Sequence, residues 1–319
     1  MKRTHIALLV LAILFLIWLQ PIDFGTAEIT IQKGANAREI AEYLSARGVV
    51  RDKNEFLFWL KISGKGKHLR SGNYELRRYS NPLFLINELT LGGTSDVVVT
   101  IPEGITLHET ATMLANHELV TQEHFVALCN DRNFIAEFGL PGSSLEGYLF
   151  PDTYSFSSTQ SDSSIVKTFV ENFKNHIMKY GITNRDSVYM IVTLASLVEK
   201  EAKYEDERPI IAQVFINRLK TRRPLESCAT ILYVLKNRNI HKTNLTENDL
   251  KIDSPYNTYL HIGLPPGPIC SPGESSIKAV VAPADVDYLY FVSKGDGRHY
   301  FSRTYQEHCA AKERYNATK

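Results

Sequence analysis

The sequence is short of the features that would place it in several functional classes. Its 319 residues include only four cysteines, Cys129, Cys228, Cys270 and Cys309, widely spaced and with no CxxC pair. That pattern matches no zinc site. A chain with 44% hydrophobic residues also builds a core without disulfide staples, so free thiols are expected. Ten histidines are present, but none forms HxxxH or another metal-binding spacing. A zinc amidase is therefore disfavoured, and no metal or cofactor is expected. Charge of one sign is lacking too: 36 Lys and Arg against 35 Asp and Glu leave a net charge of +1. Nucleic acid, which needs a clearly basic face, is not an expected partner. Low-complexity tracts are absent, and only one long apolar run occurs.

That run spans Ile6 to Leu19, carries no charge, and follows Lys2 and Arg3. It is short for a bilayer span of about 20 residues. Thr4, His5, Gln20, Pro21 and Ile22 extend it through the interfacial zones. No small-x-small cleavage site follows closely, so an uncleaved single-pass anchor is favoured over a signal peptide. Residues 5–22 are expected in the cytoplasmic membrane, within an anchor region 1–24. The basic flank stays inside, which puts the remaining chain on the outer side.

After the anchor the chain repeats itself. "ITIQKGANAREIAEYLSARGVV" (29–50) aligns with "VTIPEGITLHETATMLANHELV" (99–120). Each copy reads as a strand, a glycine turn (Gly34, Gly104) and an amphipathic helix. The first copy resembles the βα half of a LysM module, a βααβ unit that holds N-acetylglucosamine polymers. A spacer between membrane and catalytic part is the competing reading. Between the copies, "SGNYEL" predicts a strand and "SNPLFLINELTLGG" a helix capped by Ser80 and ended by Gly92 and Gly93. A turn-rich joint at 139–144 marks the expected start of the catalytic region. The domains expected are thus 1–24, 28–138 and 139–319, of α+β class throughout.

The chemistry concentrates in "LASLVEKEAKYEDER" (194–208). The spacing predicts a helix from Ser187 to about Ala202, capped by Asp186 or Ser187. It is apolar on nearly every side and so buried. Glu199 is the first ionisable group at its end. Burial would raise its pKa and hold a proton for general acid catalysis. Glu201 lies about 200° round the helix, so the two cannot share one pocket. Glu199 is preferred because it adjoins the apolar run, whereas Glu201 opens the acidic exit. A structural pair between Glu199 and Arg208 is the competing reading. A second helix, about Asp206 to Arg222, carries Ile211, Val214, Phe215 and Leu219 as its core stripe, with Arg208, Gln213 and Asn217 as polar positions.

Five ordered motifs carry a resemblance: "LEGYLFPDTY" (145–154), "ASLVEKEA" (195–202), "ERPIIAQVFINRL" (207–219), "SPYNTYLHIGLPPGPICSPGESSIKAVVAPADVDYLYFV" (254–292) and "GDGRHYFSRTYQEH" (295–308). Together they resemble the MltG (YceG-like) endolytic murein transglycosylases over about 28–308. The resemblance implies cleavage of nascent peptidoglycan strands at the β-1,4 bond between N-acetylmuramic acid and N-acetylglucosamine. Its catalytic Glu falls in "VEKE", placed on Glu199. One carboxyl suffices when the muramic C6 hydroxyl is the nucleophile and leaves a 1,6-anhydro end; ordinary glycosidases need two. Glu146, Tyr148, Asp152, Glu201, Arg208, Gln213, Asn217, Thr230, Tyr256 and Asn257 are the candidate substrate contacts. Peptidoglycan synthases are partners implied by the resemblance alone. One stretch departs from the family. Where it reads "LQSDPTVxYAL", this chain has "LESCATILYVL" (225–235), with Glu226, Cys228 and Ala229 replacing Gln, Asp and Pro. A hydrolytic muramidase and a non-catalytic glycan-binding scaffold are the alternatives.

Overall fold

A computed structural model describes residues 25–32, 34–92, 96–157 and 160–316. The expected anchor lies outside the described residues. Among those described, no helix is long and apolar enough to cross a membrane. The elements mix helices with short two-stranded sheets, as the α+β expectation has it. The described residues divide into two compact units, those up to 97 with 155–157, and those of 98–154 with 160–316.

In the first unit β1 (Thr26–Ile31), α1 (Ala37–Ala46), α2 (Lys53–Ser63), β2 (Gly72–Arg77) and α3 (Pro82–Leu91) follow in order. β1 and β2 pair antiparallel, with Ile29 opposite Tyr74. Alternate residues of each strand turn inward, a period of two that one buried face imposes. Ile29, Ile31 and Leu76 meet Ile40, Leu44, Phe56, Leu60, Leu85 and Leu89 in one core. α3 is capped by Asn81 rather than Ser80: its side chain accepts from Leu83 N, and Pro82 takes the first helical position.

The second unit holds most of the described helices. β3 (Asp96–Thr100) and β4 (Thr153–Ser157), which pair with each other, both straddle the division, and α4 (Leu107–Asn116), α5 (Gln122–Cys129) and α6 (Arg132–Glu137) lie between them. Then come α7 (Asp162–Met178), α8 (Arg185–Glu201), α9 (Arg208–Lys220), α10 (Cys228–Asn237) and α11 (Glu274–Val281). The hairpin β5 (Tyr290–Ser293) and β6 (His299–Ser302) and helix α12 (Tyr305–Asn316) close the chain. Leu194, Leu197 and Val198 of α8, Ile211 and Phe215 of α9, and Ala279 of α11 share a core.

The two copies of the repeat have the same local structure. Each helix opens with a capping box, Asn36 with Glu39 and Thr106 with Glu109. Each ends in a left-handed residue, Gly48 and Glu118 (φ 69° and 57°). The next residue then donates its N–H back to a helix carbonyl, Val49 to Leu44 and Leu119 to Leu114. The second copy belongs to the unit that carries the acids, and the turn-rich stretch 139–144 lies inside that unit. α5 packs on α7, and Leu145 N donates to Cys129 O across that stretch.

The acid-bearing helix starts two residues earlier than expected. Asn184 caps it, accepting from the N–H groups of Asp186 and Ser187. Only its later turns are buried all round, from Val192 to Val198; Met190 is exposed. The second helix starts at Arg208, because Glu205–Glu207 form a separate 3₁₀ turn and Pro209 then supplies the first turn of α9. All four cysteines are free thiols.

Candidate active site

α8 ends on two glutamates in opposite environments. Glu199 is clamped. Its Oε2 accepts from Arg208 Nη1 (3.1 Å), Ser276 Oγ (2.7 Å) and Gly273 N (3.1 Å). Both side chains of the Glu199–Arg208 pair are about nine-tenths buried. Arg208 also donates to Ser276 Oγ, so one hydroxyl bridges the two ions. The clamp joins the end of α8, the start of α9 and the start of α11. Glu103 lies against it in the space that Gly273 leaves by having no side chain. Burial first, and the Glu199 charge second, push the Glu103 carboxyl above its ordinary value. The Glu199–Arg208 pair that the sequence left as a competing reading is present.

Glu201 turns the other way, as the helical rotation requires. It lines a cavity of about 490 Å³ whose wall does not include Glu199. Burial raises its pKa, and the Ser227 hydroxyl, donating to Oε1 at 2.6 Å, only partly offsets that. The expectation that Glu201 merely leaves the core is corrected. Ser227, at the start of α10, donates to it, and Cys228 and Ala229 line the same cavity.

Cys228 and Ala229, from the stretch that departs from the family pattern, stand on that cavity wall. Cys228 Sγ lies 3.0 Å from Tyr259 OH. Tyr233, one turn further along α10, also faces the cavity and donates to Glu146 Oε2 behind it (3.3 Å). Glu146 is fully enclosed; its Oε1 accepts Leu107 N at 2.9 Å, and burial raises its pKa to about 7. Gly147 makes this possible: its φ is +82°, and an added Cβ would come within 2.4 Å of Pro268. The 263–273 loop is held on α8 by Ser196 Oγ, which accepts Ile269 N, and by Tyr189 OH, which donates to Pro265 O.

The other predicted residues lie off that cavity wall and bond within the protein. Tyr148 is buried, edge-on to Phe173. Asp152 accepts from Asn172 Nδ2 and Thr153 N, away from the cavity wall. Gln213 bonds Asn217, which donates to the carbonyls of Val286 and Tyr288; both line a separate open groove. Thr230 is buried against Thr258, and Asn257 donates to Leu250 O and Ile252 O. Tyr256 packs on Tyr233 with ring centroids 5.1 Å apart, one layer behind the wall. Sequence reasoning missed Thr106, Lys200, Lys236 and Lys242 on that wall. It also missed Arg218, which is buried and donates to the carbonyls of Pro224, Leu225 and Leu289 and to Glu226.

The YceG-like family model matches residues 29–314. The chain belongs to this family. It is 34% identical to the endolytic murein transglycosylase of Bacillus subtilis (strain 168) over 317 residues, 92% of this chain and 86% of that protein. The endolytic murein transglycosylase of Streptococcus pneumoniae (strain D39) is 32% identical over 91% of this chain, which spans 59% of that longer protein. A crystal structure of a YceG-like protein from Listeria monocytogenes is similar as well, with a TM-score of 0.61 at 32% identity. It covers 90% of this chain and 99% of that one. The Glu199 clamp, the Glu201 cavity and the enclosed Glu146 therefore lie in a YceG-like chain.

Proposed function

We propose that this YceG-like chain is an endolytic peptidoglycan lytic transglycosylase with Glu201, not Glu199, as its acid. The observation that carries the assignment is the desolvated Glu201 carboxyl on the wall of the 490 Å³ cavity. Desolvation favours the protonated form of the Glu201 carboxyl, the form that a general acid uses. Glu199 spends Oε2 on three donors and lines no part of that cavity.

Glu201 gives its proton to the glycosidic oxygen between N-acetylmuramic acid and N-acetylglucosamine as the C1–O bond breaks. The resulting carboxylate takes the proton of the muramic C6 hydroxyl, whose oxygen attacks C1. The acid is regenerated and a 1,6-anhydro end is left. The hydroxyl is already part of the sugar, which supplies the entropy advantage of an intramolecular step. Ser227 holds Glu201 Oε1 in place (2.6 Å). Internal cuts of this kind would end strand growth.

The first unit supports a glycan-holding role, since its order β1–α1–α2–β2 is that of a LysM module. Anchoring by residues 5–22 would keep both units beside nascent strands outside the membrane, where peptidoglycan synthases work. A hydrolytic muramidase differs only in using water at C1. Mass spectrometry of un-cross-linked strands after incubation with the protein tests the proposal. Internal 1,6-anhydro-muramic ends support it. Reducing muramic ends would replace it by hydrolysis. Binding without cleavage would replace it by the scaffold.

A further inference from the structure

The cavity wall carries more positive charge than proton transfer requires. Lys200 from α8, Lys236 from α10 and Lys242 from the following loop all line it. The acids that pair with them stand behind, off the wall. Glu109 Oε1 pairs with Lys236, while its Oε2 closes the capping box of α4. Asp249 accepts from Lys242 Nζ at 2.7 and 2.9 Å and from Thr246, and the Lys242 bond, first among its causes, holds it down to about 2. Lys200 Nζ donates to the Gly104 carbonyl at 3.2 Å. Each ammonium group is therefore held by a partner that does not itself line the cavity, and Glu201 is the acid among the lining residues. Fixed cations cost little ordering when an anion arrives.

We propose that Lys200, Lys236 and Lys242 bind carboxylates carried by the substrate strand. The cavity then selects glycan that bears free carboxylates on its peptide substituents beside the bond to be cut. This rests on the reading of the chain as a peptidoglycan enzyme. A neutral glycan of the same backbone lacks the recognised group. The cost of the lysine-rich wall is repelling a like-charged ligand; its gain is steering an acidic strand inward.

Binding is measured with the full chain carrying Glu201→Gln. The probes are un-cross-linked, peptide-bearing strands and the same strands with carboxylates converted to methylamides. The unmodified strands are expected to bind about tenfold more tightly, with a preference that shrinks as salt rises. Lys200→Gln leaves no carboxylate unpaired. It should weaken the unmodified strand about threefold and leave the methylamide strand unmoved, and Lys200→Arg should restore the loss. Equal binding of both strands overturns the proposal, as does a Lys200→Gln loss that is the same for both. The wild-type digest reports separately. No cleavage with the carboxylate preference intact sinks the enzymatic reading and spares this site. Cleavage without the preference does the reverse.

Discussion

Glu199 and Glu201 are separated by one residue and do opposite things. Glu199 sits in a clamp of charged and polar donors that ties three helices together. Glu201 sits on an open wall, desolvated, with one hydroxyl donor to Oε1. The clamp ties Glu199 to fixed donors; on the proposed reading, Glu201 on the wall gives and takes a proton. One residue type serves both because the helix turns about 200° between them and presents each to different neighbours. A carboxyl's role is thus set by what packs on its side of the helix, not by how apolar the preceding residues are.

The widest separation should appear in stability. Glu199→Gln removes one partner of a buried pair and leaves Arg208 uncompensated, which should cost about 4 kcal/mol. Glu201→Gln removes a desolvated acid without breaking an ion pair and should leave the unfolding free energy within about 1 kcal/mol of wild type. Arg208→Met added to Glu199→Gln should recover much of the loss, because the stranded charge is gone. Urea titrations of the four proteins check this.

The third enclosed carboxyl gives a control on the pH axis. Burial raises the Glu146 pKa from 4.5 to about 7, so the folded state holds its proton more tightly than the unfolded chain. The stability this confers is full below pH 4.5 and is lost as pH rises through 7. Relative to Glu146→Gln, wild type should lose about 3 kcal/mol across that window. Equal pH dependence in both proteins would break the claim that Glu146 titrates there. The smallest effect should come from Ser227→Ala. Removing the donor to Glu201 should cost about 1 kcal/mol of stability. It should also move the alkaline limb of the rate profile to higher pH, since that donor lowers the Glu201 pKa.

Local structure was legible in the sequence because its causes are local. The strand–turn–helix order of both copies and the Pro-led start of α9 follow from residues within a few positions of each other. The repeat, whose copies lie 70 residues apart, also showed that both stretches share one strand–turn–helix pattern. It could not predict that the second copy would join the active site. Glu39 only closes its capping box, whereas the equivalent Glu109 also reaches Lys236, and Leu107 N reaches Glu146. Those partners lie in distant parts of the chain. The rotation of Glu201 away from Glu199 was legible too, but which face meets a cavity was not. That depends on α10 and the loop around Lys242, which no local pattern places beside α8. Asn217 and Asn257 donate to backbone carbonyls and Gln213 donates to Asn217, contacts visible only once the chain is folded.

The most direct test is to measure turnover of un-cross-linked strands by Glu199→Gln and Glu201→Gln side by side, at a temperature where both are folded. The account predicts that Glu201→Gln loses about 10³-fold in kcat while Glu199→Gln stays within about tenfold of wild type. The reverse order, with Glu199→Gln inactive and Glu201→Gln near wild type, would contradict it and return the proton to the clamped carboxylate.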